Sequence, residues 1–135
     1  MATKSKYSDV DINFNKNDFT SDLSVKKDRS AVQQSVMNII MTRKGEKRFN
    51  PDFGVGIHDI LFENLNPLEI AVLEKTIAAQ LVNYEPRALL EKVVINEDNI
   101  DSNEISIEIN YVILTSSYED VASKETFKVS LMKVR

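Results

Sequence analysis

Cysteine is absent from the sequence of 135 residues, and histidine occurs once, at position 58. Without cysteine there are no disulfides, thiolate metal sites, iron–sulfur clusters or cysteine nucleophiles. A single imidazole, that of His58, also excludes His-rich metal sites and mechanisms that need two imidazoles. No apolar run approaches the roughly 18–20 residues of a membrane span, and the N-terminus lacks a signal-peptide core. We therefore expect a chain made in a cytoplasm, with no metal, cofactor or membrane partner.

Charge is unevenly distributed along the chain. The net charge of −4 divides into +4 over residues 1–50 and −8 over residues 51–135. Such a division favours an oriented electrostatic protein partner over nucleic acid, which selects broadly basic chains. Charge scattered over a solvated surface is the alternative, and it stays open.

Helical periodicity dominates the middle of the chain. A first helix is predicted from Asp28 as N-cap to Thr42 or Lys44, with Gly45 as the left-handed residue after it. Its apolar stripe is Val32, Val36, Ile39 and Ile40. A structured loop over 45–56 and a short helix, Ile57–Glu63, follow. The loop holds all three glycines of the chain.

The start of the next helix carries several local signals. Asn66 suits the N-cap, Pro67 the first turn and Glu69 a capping box, while Leu65 and Ile70 form a hydrophobic staple. The apolar stripe of this helix is Ile70, Leu73, Ile77 and Leu81. Pro86 ends the helix at about Asn83, because it restricts Glu85 away from helical geometry.

Beyond Pro86 the hydrophobic period changes to two. Residues 89–95 are β-prone, residues 105–114 alternate strictly, and Phe127, Val129 and Leu131 alternate with polar neighbours. Helices first and strands later predict an α+β fold, with two main helices and a short helix packed on one face of a small antiparallel sheet. We expect a polar N-terminal arm over residues 1–27, with a short alternation at Val10, Ile12 and Phe14, and a single domain over residues 28–135.

No pattern in the sequence identifies a catalytic centre. Asp52, Glu63 and Glu85 are imaginable members of a glycosidase carboxylate pair, but no spacing selects two of them. His58 has no GxSxG nucleophile motif to serve, and Gly54 and Gly56 lack the rest of a phosphate-binding loop. A basic cluster beside Phe49 is a weak nucleic-acid signal and is more typical of a helix end and a solvated loop. Its members are Arg43, Lys44, Lys47 and Arg48.

Tyr84-Glu85-Pro86-Arg87 stands at the predicted junction of helix and strand. Because proline stiffens the backbone there, Glu85 and Arg87 are expected to project from a rigid corner. The alternative is a helix stop with an incidental ion pair, contributing about 0–1 kcal/mol if exposed.

Several of these motifs, taken in order, resemble a known family. They are TRKGEKRFNPDFGVGIHDILFEN from Thr42, then NPLE and NYEPR. Together they resemble the baseplate wedge family, the sheath initiators of contractile phage tails, some members of which carry a "lysozyme-like" label. The match is close over residues 28–95 and extends to residue 135 in pattern only.

The resemblance implies a structural role in the virion, at the tail baseplate, after assembly in the host cytoplasm. It implies docking on the larger wedge subunits of the inner core bundle through Glu85, Pro86 and Arg87. It also implies that the C-terminal sheet templates the tail sheath protein by strand pairing, through Phe127, Lys128, Val129, Ser130, Leu131 and Met132. Contacts with tail tube or hub proteins are compatible with that position. A peptidoglycan glycosidase is the alternative from another class, and the same component of a tailocin or type VI secretion baseplate is an alternative within this one.

Overall fold

The computed structural model describes residues 7–62, 66–99, 104–114 and 123–132. In chain order, β1 is Ser8–Val10, β2 is Val25–Lys27 and α1 is Arg29–Met41. A 3₁₀ helix, Ile57–Phe62, and α2, Pro67–Tyr84, follow. Three strands close the order: β3, Ala88–Asn99; β4, Glu104–Ile113; and β5, Ser123–Met132. Helices together with antiparallel sheets confirm the predicted α+β class.

The first helix buries its predicted stripe, but its ends differ from the prediction. Asp28 precedes the helix with a φ of 47° and makes no side-chain cap; its carboxylate accepts the N–H of Tyr7 at 3.1 Å. The helix ends at Met41 because Thr42 turns to an extended conformation. Gly45 is therefore not the residue that closes the helix. It belongs to the loop, where its N–H donates to the carbonyl of Pro51 at 2.9 Å.

The second helix begins as predicted. The Asn66 side chain accepts the backbone N–H of Glu69 at 2.9 Å, and Pro67 occupies the first turn. The Asn66 side chain thus satisfies one backbone N–H of the first turn, and Pro67 has no N–H that would need a partner. Leu65 of the predicted staple and Glu63 lie outside the described residues. The helix ends at Tyr84, one residue beyond the predicted end.

The C-terminal strands form one antiparallel sheet in the order β3-β4-β5, with a β-bulge at Glu91. The central strand β4 turns its odd-numbered side chains inward, and the helices cover that face. One core results, joining both helices, the 3₁₀ helix and the sheet; it includes Val36, Ile40, Ile57, Ile77, Leu81, Ile107 and Ile109. The period of two therefore predicted the buried face of the sheet correctly.

Residues 7–28 form a β-hairpin that lies apart from the larger sheet. β1 pairs with β2, and of the predicted alternation Val10, Ile12 and Phe14 only Val10 lies in a strand. Phe14 has a φ of 51° and is 70% exposed, so it takes no part in a strand. The domain boundary at residue 28 stays a prediction. No helix within the described residues is long and apolar enough to span a bilayer.

Candidate functional site

The corner between α2 and β3 is formed by a tight turn over Pro86 and Arg87. The N–H of Glu85 donates to the carbonyl of Leu81 at 2.8 Å, and the N–H of Ala88 donates to the carbonyl of Glu85 at 3.0 Å. Pro86 lies at the exposed apex between these bonds. Proline fits there because the turn needs no N–H at that position. The proline ring also fixes the backbone angle φ.

Glu85 does not project from the corner, contrary to the sequence-based expectation. Its side chain is 2% exposed, whereas that of Arg87 is 30% exposed. The guanidinium donates two hydrogen bonds to the carboxylate, Nε to Oε1 at 2.5 Å and Nη2 to Oε2 at 2.7 Å. A buried carboxylate requires such a partner, and the bidentate geometry fixes the plane of the guanidinium. Pro86 and part of the Arg87 side chain are thus the accessible surface of the corner.

The electrostatics of this pair favour its charged form. Burial raises the pKa of the Glu85 carboxyl, but hydrogen bonds from Arg87 and from Ser35 of α1, with the charge of Arg87, outweigh burial. The pKa of Glu85 is therefore below its ordinary value of 4.5. The bond to Glu85 raises the pKa of Arg87, so the ion pair persists across the neutral range.

The N-terminal hairpin contacts the outer side of the corner. The Tyr7 ring lies against the guanidinium of Arg87, with the guanidinium carbon 4.7 Å from the ring centroid. The Gln34 side chain of α1 holds the hairpin in place, donating to the carbonyl of Val10 at 2.8 Å and accepting from the N–H of Ile12 at 3.0 Å. Sequence reasoning missed Tyr7 and Gln34, because nothing local links them to Arg87.

The loop between α1 and α2 is fixed by a second buried glutamine. Gln80 is 8% exposed; it donates to the carbonyl of Asp52 and accepts from the N–H of Gly54, both at 2.9 Å. Tyr84 extends this contact, since its ring meets that of Phe53 edge-on at 4.9 Å. The sequence does contain a signal for this contact. Gln80 is a polar residue on the side of α2 that buries Ile77 and Leu81.

β5 is an edge strand of the larger sheet and has no partner strand beyond β4 among the described residues. The N–H of Leu114 donates to the carbonyl of Arg87 directly opposite at 2.7 Å, so even-numbered residues of β4 direct their backbone groups toward β3. Odd-numbered residues of β4 therefore face β5. Odd-numbered residues of β4 pair with odd-numbered residues of β5. The even-numbered residues of β5, including Lys128 and Ser130, therefore direct their backbone N–H and C=O groups away from β4.

The opposite edge, that of β3, is partly closed by α2. Glu74 accepts the N–H of Val93 at 3.2 Å, and this N–H points away from β4 by the same alternation. Side-chain capping of a strand edge blocks the addition of another strand. No side chain caps the edge of β5 in this way among the described residues.

Among the described residues, the glycosidase candidate Glu85 is already engaged inside the fold. Glu85 is bound to Arg87 and has a lowered pKa, whereas a glycosidase acid needs a raised one. Glu63 lies outside the described residues. A shallow recess beside the end of α1 is lined by one carboxylate, Glu46, which accepts the N–H of Arg43 at 2.9 Å. No group of side chains suited to a metal ion occurs in the described part of the chain.

The basic cluster beside Phe49 is partly neutralised within the loop. Arg43 pairs with Asp59 at 3.3 Å, and the Lys47 ammonium lies 4.1 Å from the centroid of the Phe53 ring. A stripe of several free cations is typical of nucleic-acid binding, and in this cluster Arg43 is already paired with a carboxylate.

Known proteins resemble this chain over most of its length. The family model described as baseplate wedge protein gp25 matches residues 26–118. Baseplate wedge protein gp25 of Enterobacteria phage T4 is 35% identical over 116 residues, which cover 84% of this chain and 86% of the relative. The anti-feeding prophage baseplate contains a similar chain, 26% identical with a TM-score of 0.69; the match covers 84% of this chain and 89% of that one.

Two further structures share the fold at lower identity. A putative tail lysozyme from Geobacter sulfurreducens has a TM-score of 0.59 at 24% identity, covering 78% of this chain and 90% of that one. A chain of the type VI secretion system baseplate has a TM-score of 0.51 at 19% identity, covering 76% and 92%. These two likenesses concern the fold alone. From the family match and the identity to the phage T4 protein, the chain belongs to the gp25 family of baseplate wedge proteins.

Proposed function

We propose that this chain is a non-catalytic component of a contractile-tail baseplate, which docks on the inner wedge core and starts polymerisation of the tail sheath. Its place is the virion tail, after assembly in the host cytoplasm. Its partners are the larger wedge subunits and the sheath protein, with tail tube or hub proteins adjacent. Membership of the baseplate wedge family supports the general role.

The corner of α2 and β3 supplies the docking element on the wedge core. Pro86 and the part of Arg87 that stays exposed beside Tyr7 are the surfaces that a partner contacts. Glu85 acts as a positioning residue, since its carboxylate is buried and holds the guanidinium in one plane. Binding through a fixed arginine loses less side-chain entropy than binding through a mobile one.

The free edge of β5 supplies the template for the sheath protein. The single observation that carries this proposal is the outward direction of the backbone groups of Lys128, Ser130 and Met132. Phe127, Val129 and Leu131 direct theirs toward β4, and their side chains pack inward. Addition of a strand at such an edge gives affinity through main-chain hydrogen bonds, with a register set by side chains. The same chemistry serves a tailocin or a type VI secretion baseplate, so the proposed role applies to all three machines.

A complementation experiment tests the role directly. Purified chain is added to an extract in which tails assemble without it, and the tails are inspected by negative-stain electron microscopy. We expect sheathed tails to appear only when the chain is added, and bare tubes on baseplates otherwise. Sheaths of normal length without the chain would contradict the proposal.

The competing function, peptidoglycan hydrolysis, is tested by turbidity of a cell-wall suspension. We expect no clearing by the pure chain, because Glu85 is held charged by Arg87 and no acid is placed opposite it among the described residues. Clearing that is lost in Glu85→Gln or Glu63→Gln would favour the glycosidase.

A further inference from the structure

The solvent-facing side of α2 is almost free of charge. Between Leu68 and Val82 its exposed positions are Leu68, Ala71, Val72, Lys75, Ala79 and Val82. Leu68 is 70% exposed, Val72 51% and Val82 65%. Helices at a protein surface carry polar side chains on the outer side, and a helix that is apolar all round is a buried one. This side of α2, called the α2 outer face below, therefore has the composition of an interface.

The spacing of these residues indicates what covers them. Leu68, Val72, Lys75, Ala79 and Val82 follow one another at intervals of four, three, four and three residues. The same intervals occur in the seam of a coiled coil, where side chains of one helix fit between those of another, so this stripe, called the seam below, has the spacing to receive a second helix. The seam is about 21 Å long, or about four turns. Ala79 within it and Ala71 beside it are small, which allows a second helix to approach closely.

Among the described residues, no other helix of the chain covers this seam. The opposite side of α2 already faces the core, where Ile77 and Leu81 are buried. α1 contributes its own buried stripe to that same core. The described part of the chain therefore leaves the α2 outer face open to another molecule.

A second copy of the chain is disfavoured by charge. Lys75 is the central residue of the seam, seven positions from both Leu68 and Val82. Pairing two copies of the seam in register, parallel or antiparallel, would place the two Lys75 ammonium groups opposite each other. Like charges at a desolvated interface oppose association. A helix with a carboxylate opposite Lys75 satisfies the charge instead.

We infer that the α2 outer face binds an amphipathic helix of another baseplate subunit, with an aspartate or glutamate opposite Lys75. The inference rests on the proposed function, since it places the partner in the baseplate. The surface is also continuous with the docking corner, because Val82 lies one helical turn before Pro86. Corner and helix face together would then form one extended contact.

Competition for baseplates tests the inference. Wild-type chain competes with Val72→Glu, with Lys75→Glu or with a control, Phe19→Glu, in the complementation extract. Phe19 is 99% exposed on the N-terminal hairpin, far in sequence from α2. We expect each α2 variant to enter baseplates about tenfold less than wild type, because it places an unmatched carboxylate in the interface. The control enters normally, and all variants keep the thermal unfolding midpoint of the free chain.

Two results would overturn the inference. In the first, Val72→Glu enters baseplates at the wild-type level. If the wild-type chain still restores sheaths in that experiment, the proposed function stays intact. The other is a dimer of the free chain in analytical ultracentrifugation that Val72→Glu abolishes. If the wild-type chain itself fails to enter baseplates, the proposed function fails too.

Cross-linking identifies the partner helix. A photoreactive benzoylphenylalanine at Val72 is activated in assembled baseplates, and the linked peptide is read by mass spectrometry. We expect a helical segment of a different subunit, with an acidic residue whose change to lysine restores entry of Lys75→Glu. Linkage to a second copy of this chain would overturn the inference.

Discussion

The carboxylate of Glu85 lies beneath the guanidinium of Arg87 and accepts two hydrogen bonds from it, at 2.5 and 2.7 Å. With 2% of the Glu85 side chain exposed, this ion pair is internal to the fold. An incidental surface pair would contribute little to stability, whereas removal of one partner of a buried pair leaves a charge without compensation. The corner therefore serves folding as well as the proposed docking.

Arg87→Ala should lower the free energy of unfolding by about 2–3 kcal/mol, because it leaves the buried carboxylate of Glu85 without its charged partner. Arg87→Lys should lose less, because the charge stays and only the bidentate fork is lost. Urea denaturation of the free chain measures both. A change of less than about 0.5 kcal/mol in Arg87→Ala would show that Glu85 finds another partner or water.

Stability should also depend on pH through Glu85. Its pKa is lowered in the folded chain, so the unfolded chain takes up the proton at a higher pH. The contribution is complete above the ordinary pKa of 4.5 and is lost as the pH falls through the folded value. Urea denaturation from neutral pH into the acid range should therefore show a steeper loss of stability in wild type than in Glu85→Gln. Parallel curves for the two proteins would contradict this assignment.

Two glycines of the structured loop provide a matched pair. Gly54 has a φ of +105°, and a Cβ there would lie 2.3 Å from the carbonyl oxygen of Thr42. Gly45 has a φ of +82° but open space around it. Gly45→Ala should cost about 1 kcal/mol of strain, and Gly54→Ala about 3 kcal/mol because a backbone clash is added. Equal losses in thermal or urea unfolding would mean that the loop shifts away from α1 without penalty.

The N-terminal hairpin should open when its glutamine is replaced. Gln34→Leu removes the bonds to Val10 and Ile12, so hydrogen exchange over residues 8–27 should accelerate about tenfold. Gln80→Leu is the control, because its bonds hold the loop at Asp52 and Gly54 instead. We expect it to loosen that loop and leave the hairpin protected. Faster exchange of the hairpin in both variants would mean that the two segments open together.

Local patterns in the sequence predicted much of the fold. Asn66 and Pro67 specify the start of α2 within a few residues, and strict alternation from Ile105 to Ile113 specifies both a strand and its buried side. Such features depend on neighbours in sequence, so a sequence shows them directly.

The remaining features depend on contacts between distant parts of the chain. Glu85 is bonded by Ser35 of α1, 50 positions earlier, and Tyr7 meets Arg87 across 80 positions of sequence. Gln34 and Gln80 are buried because they satisfy backbone groups of loops whose paths no local pattern reveals. The outward direction of the Ser130 backbone groups likewise follows only from the register of the assembled sheet.

That register allows the template role of β5 to be tested at a single backbone N–H. Ser130→Pro removes an N–H that faces outward and serves no bond to β4, whereas the matched control Ser130→Ala keeps it. Both variants are added to the complementation extract, and sheath rings are counted on baseplates that contain the chain. We predict that Ser130→Ala supports sheaths of normal length, while Ser130→Pro enters baseplates and leaves their tubes bare. Normal sheaths on Ser130→Pro baseplates would contradict the account.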